Sequence, residues 1–71
     1  MKYIVIEIQT DGEGRTGTLV YDFDDRDAAM AKYHTVLAAA AVSAVLVHAC
    51  TVLTREGQQI AHECFVHPVG E

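Results

Sequence analysis

Basic residues are scarce in this sequence. Lys2, Arg15, Arg26, Lys32 and Arg55 are the 5 cations against 10 acids, giving a net charge of −5. That balance excludes plain duplex nucleic acid as a partner, since phosphate contacts need lysine and arginine. Cysteine is almost absent. Cys50 and Cys64 form no C-x-x-C pair, and two buried free thiols are the expectation. Long apolar runs are missing too: Ala38 to Ala49 falls short of the roughly 18 residues of a membrane helix and changes period partway. No basic start leads into an apolar run, so neither a signal peptide nor a membrane partner is expected, and a cytoplasmic location follows. The single proline, Pro68, marks the end of the last strand.

What the sequence has is one long helical stretch, Asp24 to Ser43, with strand patterns on both sides. Asp24 or Asp25 caps the start and Asp27 adds charge near the positive end of the dipole. Seven alanines follow with no glycine or proline between them. Met30, Tyr33, Leu37, Ala40 and Ala41 form an apolar stripe at spacings of three and four, opposite Arg26, Lys32, Thr35 and Ser43. Val36, Ala39 and Val42 extend the apolar surface onto the outer side of the last two turns. They are read as a contact with another copy of the chain. The acids Asp22, Asp24, Asp25 and Asp27 read as a solvated loop and helix start.

Lys2 to Thr10 alternates as a half-buried strand, with Ile4, Ile6 and Ile8 on one face and Tyr3, Val5, Glu7 and Gln9 on the other. Asp11 to Gly14 is a turn. It is not a phosphate loop, because no helix follows and no Lys-Ser or Lys-Thr closes the motif. Arg15 to Phe23 is the second strand, with Leu19, Tyr21 and Phe23 on one face and Thr18, Val20 and Asp22 on the other; Gly17 marks a bulge or a close approach. After the helix, Ala44 to Thr54 and Gln58 to His67 read as strands joined by Arg55-Glu56-Gly57. The order predicts one α+β domain over residues 1–71: ββαββ, a four-stranded, mainly antiparallel sheet with the helix on one face.

A helix covers only one face of such a sheet. With Ile4, Ile6 and Ile8 under it, Tyr3 and Val5 lie on the other. The last hairpin has two apolar sets, Leu46, Val52, Ile60 and Val66, taken as the helix side, and Val45, Val47, Leu53 and Phe65. An exposed sheet face should alternate toward polar residues. A 71-residue chain also buries only about 60% of its extended surface and needs a staple. Both points predict a homo-oligomer.

The one arrangement that could carry chemistry is in that hairpin. A three-residue loop pairing Thr54 with Gln58 sets Cys50 opposite His62 and His48 opposite Cys64, a two-cysteine, two-histidine set of the kind that binds zinc. The H-x-C spacing is not that of structural zinc sites, and a one-residue change of register splits the set between faces. Buried thiols and hydrogen-bonded imidazoles are the preferred reading, so no cofactor is expected. A Cys–His nucleophile lacks a cleft and an orienting group. His34 and His67 read as structural or surface residues.

Lys32-Tyr33-His34 with Leu37 to Ala44, Val47-His48-Ala49, Glu56-Gly57 and His62-Glu63-Cys64 together resemble a group of short uncharacterised proteins of Firmicutes, especially gut clostridia, and of their phages and mobile elements. The resemblance covers nearly the whole chain and transfers no functional residue. It implies a phage or mobile-element accessory protein, by analogy an anti-defence inhibitor that occludes a host protein or sequesters a signalling nucleotide. The expected function is therefore a small non-enzymatic oligomeric binding protein. For a nucleotide, Arg26, Lys32, Tyr33 and Arg55 are the candidate ligand-binding residues. The alternatives are a zinc- or redox-stabilised module using His48, Cys50, His62 and Cys64, and a purely structural assembly piece.

Overall fold

A computed structural model describes residues 2–67. The elements are β1 (Tyr3–Thr10), β2 (Thr16–Phe23), α1 (Arg26–Ala41), β3 (Val47–Thr54) and β4 (Gln59–Val66). They form the expected ββαββ α+β domain, one four-stranded antiparallel sheet in the order β2-β1-β3-β4. Pro68 lies outside the described residues. β3 starts at Val47 rather than Ala44. The residues between helix and strand make a local turn instead, in which the Val45 N–H donates to Ser43 Oγ at 2.9 Å.

The β1–β2 turn is built by Asp11. Its carboxylate accepts from the backbone N–H groups of Glu13 (2.9 Å) and Arg15 (3.0 Å) and from Arg15 Nε (2.9 Å). The backbone bond from Arg15, with the other donors, holds the Asp11 pKa below its ordinary value. Gly14 takes φ 84°, which a side chain would resist. Helix α1 starts at Asp25, an extended residue whose side chain accepts from Ala28 N at 3.1 Å.

β2 and β3 run parallel with β1 between them, so α1 is a crossover connection. The strong preference for right-handed crossovers ties such a helix to one face of its sheet. That face is Tyr3, Val5 and Glu7 of β1, where Tyr21 and Phe23 of β2 and Cys50 and Val52 of β3 sit alongside. The core is Val5, Ala29, Tyr33, Val36, Cys50 and Val52. The isoleucines Ile4, Ile6 and Ile8 are therefore on the open face, the reverse of the expected arrangement.

The buried stripe of α1 is Ala29, Tyr33, Val36 and Ala40. It lies slightly round the helix from the one read in the sequence, so Ala41 is exposed and Val36 is buried. Val36 sits three residues from Tyr33 and four from Ala40, so it belongs to the core of the single chain rather than to its outer surface. Ala39 and Val42 remain outside, Val42 being 86% exposed.

The β3–β4 hairpin begins as expected. The Thr54 N–H donates to the Gln58 carbonyl at 2.9 Å, and Gly57 takes φ 89° in the turn. One pair further on the register slips: Leu53 faces Gln59, but Val52 faces Ala61. Ile60 is the extra residue of a β-bulge, and both Ile60 and Ala61 pack toward the core, which adjacent residues of a regular strand do not do. Beyond the bulge every β4 side chain changes face. Phe65 and Val66 thereby exchange the sides expected of them: Phe65 pairs with His48 of the helix face, and Val66 pairs with Val47 on the open face. Leu53 and Val47 stay opposite Val52, on the open face.

Candidate functional site

The bulge decides the histidine–cysteine set. Cys50 faces Glu63 and His48 faces Phe65, while His62 faces Thr51 and Cys64 faces Ala49. His48 and Cys50 are buried under the helix; His62 and Cys64 are exposed on the other side of the sheet. The four are not brought together, and among the described residues no three His, Cys, Asp or Glu side chains converge as a metal site. Cys64 is thus not the buried thiol expected. Burial and the neighbouring Glu7 push the Cys50 pKa up from 9.0 to about 11.

The residues offered for a nucleotide are dispersed as well. Tyr33 is a core residue, and burial raises its pKa. Lys32 sits over the Tyr21 ring, 4.2 Å from its centroid, as a cation–π contact. Arg26 is exposed at the first residue of α1. Arg55 is in the β3–β4 turn, where its Nε meets Glu56 Oε2 at 3.1 Å. With Lys2, Tyr3 and Thr54 it lines a shallow cleft of about 320 Å3.

A different polar cluster lies between the strands. His48 Nε2 is 2.6 Å from Glu7 Oε2, with side chains only 5% and 11% exposed. Gln9 Nε2 donates to the same Oε2 at 3.0 Å. For a carboxylate acceptor the proton at the His48–Glu7 contact sits on Nε2. His48 Nδ1 is buried without a partner. Both hydrogen bonds land on Oε2, and Oε1 receives none among the described residues. Glu7 and Gln9 also line a groove of about 210 Å3 with Gly17, Thr18 and Leu19 of β2. The groove exists because α1 packs mainly on β3 and β1 and leaves the end of β2 uncovered. Leu19 there is 51% exposed.

No protein-family model matches the chain, and neither a curated protein nor a solved structure does.

Sequence reasoning placed Glu7 on the right face of β1, beside Val5, but assigned that face to the open side. Its signal was an acid in a strand otherwise free of charge. His67, read as a structural or surface residue, is half-buried: its Nε2–H donates to the Ala40 carbonyl at 2.8 Å, a carbonyl of the last helical turn that also accepts from the Ser43 N–H at 3.3 Å.

Proposed function

We propose that this chain is a small non-enzymatic binding protein that assembles through the open face of its sheet. The observation that carries the reading is the composition of that face. Ile4, Ile6 and Ile8 run down its centre with Val47 and Leu53 beside them, and Val20 and Val66 flank them at 62% and 65% exposure. Four strands of eight residues present roughly 500 Å2 per copy, from strand spacings of about 4.8 Å and a rise of about 3.3 Å. Two copies stacked face to face bury about 1,000 Å2, the lower bound of a specific interface. The free cysteines lie on opposite faces, so no disulfide staples the fold, and burial against a second copy supplies what so small a core lacks.

The resemblance to accessory proteins of phages and mobile elements suggests an inhibitor that works by occupying a host protein. The dispersal of the cations favours a protein partner over a signalling nucleotide.

Sedimentation velocity tests the assembly. The wild type is expected to sediment as a dimer at about 100 µM. The double variant Val20→Lys, Val66→Lys changes residues already exposed in one copy, so it is expected to keep the native circular dichroism and sediment as a monomer. A monomeric wild type at that concentration ends the proposal.

A further inference from the structure

The sheet has two edges, and they are protected unequally. Native proteins blunt an edge strand with lysine, proline or a bulge, because its free N–H and C=O groups otherwise pair with another chain. β4 carries the Ile60 bulge. β2, Thr-Gly-Thr-Leu-Val-Tyr-Asp-Phe, has eight residues in unbroken register with β1, no lysine, arginine or proline, and one charge, Asp22, near its far end. Beside this open edge is the groove of Glu7, Gln9, Gly17, Thr18 and Leu19. An unprotected edge next to a side-chain pocket is the arrangement by which sheets capture extended peptides: the edge supplies main-chain hydrogen bonds and the pocket reads one side chain.

We infer that β2 is a docking edge for an extended segment of a partner protein, and that the groove takes one lysine or arginine side chain of that segment onto Glu7. The size of the groove limits the occupant. About 210 Å3 is below the roughly 300–1,000 Å3 of sites that enclose a whole small ligand, and one long side chain suits it better. Charge names the side chain. Among the described residues Glu7 is the one acid lining the groove and its Oε1 has no hydrogen bond, and the chain as a whole carries −5. Gly17 supplies the path. It faces Gln9 on the helix side of the sheet, two residues along from Glu7 and next to it on that face, and bears no side chain. A strand added to β2 lies about 10 Å from β1. A lysine passing over Gly17 crosses most of that gap toward the groove that Glu7 lines.

A second copy of this chain does not fit the same groove. The helix-side residues of β2 are Gly17, Leu19, Tyr21 and Phe23, with no cation among them. Arg15, just before the strand, is held by Asp11 at 2.9 Å and Glu13 at 3.2 Å.

The inference rests on the reading of the chain as a binding protein. It does not rest on the stacked dimer, which uses the opposite face of the sheet. The test is fluorescence anisotropy with a labelled heptapeptide of alternating threonine and valine carrying a central lysine, against the same peptide with norleucine at the centre. The lysine peptide is expected to bind the wild type at least about 10-fold more tightly, the scale of one charge-assisted hydrogen bond. Glu7→Gln keeps an acceptor for His48 and removes the charge. Gly17→Val adds a side chain where a Cβ meets nothing within 4 Å, so it folds and closes the path. Each variant is expected to bind both peptides equally, with native circular dichroism and melting temperature.

Equal binding of the two peptides to the wild type, binding of neither, or a lysine preference that survives Gly17→Val overturns the proposal. So does β2 pairing between copies, which would appear as self-association that persists in the Val20→Lys, Val66→Lys variant and keeps the lysine peptide off the edge. If the wild type sediments as a monomer yet prefers the lysine peptide, the stacked assembly fails and the docking edge stands.

Discussion

Cys50 and Cys64 are different reagents because one residue of register separates them. Cys50 has no exposed surface, and its thiol is pushed up to about 11 by burial and by Glu7, whereas Cys64 is open to solvent. The thiolate is the reactive form, so at neutral pH a disulfide-exchange reagent is expected to titrate one thiol per folded chain at once, and the second only after denaturant is added. Two fast thiols would contradict the burial of Cys50. The same shift sets an alkaline limit on stability. A folded pKa raised above its ordinary 9.0 leaves stability intact below that value and removes it as pH rises through about 11. Tyr33, also raised, acts in the same direction. The melting temperature is expected to fall between pH 9 and 11, and to fall less in Cys50→Ala, which has no thiol to ionise. What a reader of the sequence alone misses here is the position of a single inserted residue, Ile60. It looks like any strand isoleucine, and its role is decided by packing against the core.

At the scale of elements, the helix start and the turns follow from local chemistry, so they were legible. Asp25 caps α1 through one hydrogen bond to Ala28 N. Asp25→Ala is expected to lower stability by about 1 kcal/mol in urea unfolding, with Asp25→Asn recovering most of it. A loss below about 0.3 kcal/mol would mean that tertiary packing alone holds the helix start. Other element-level features were hidden for a common reason. Which face of β1 lies under α1 depends on the strand order, and the order depends on pairings between residues far apart in the chain. Ile4, Ile6 and Ile8 look like a core stripe, and only the placement of β1 between the parallel strands β2 and β3 sends them to the open side. The acid–histidine pair was hidden in the same way, since Glu7 and His48 are 41 residues apart and meet only through the β1–β3 pairing. Val36 was misplaced by a smaller margin, a modest rotation of the helix about its axis.

At the scale of the whole molecule, the two proposed surfaces differ in what drives them, and salt separates them. The open face is apolar along its isoleucine centre, with Thr18, Asp22, Thr51 and His62 among its polar members, and two copies of a chain carrying −5 repel each other as they approach. Screening that repulsion strengthens self-association. The docking edge pairs Glu7 with a cation, and the acidic chain attracts a basic segment at long range. Screening weakens both contributions, though the desolvated contact loses less than the long-range one. Between about 20 mM and 300 mM salt the Debye length falls from roughly 20 Å to under 10 Å. Over that range the dimer dissociation constant from sedimentation is expected to decrease, and the lysine-peptide dissociation constant from anisotropy to increase. The norleucine peptide is expected to stay near constant, because backbone pairing along β2 carries no net charge. If both constants moved in the same direction, one surface would be serving both reactions. The assignment of assembly to the isoleucine face and of capture to the β2 edge would then fail.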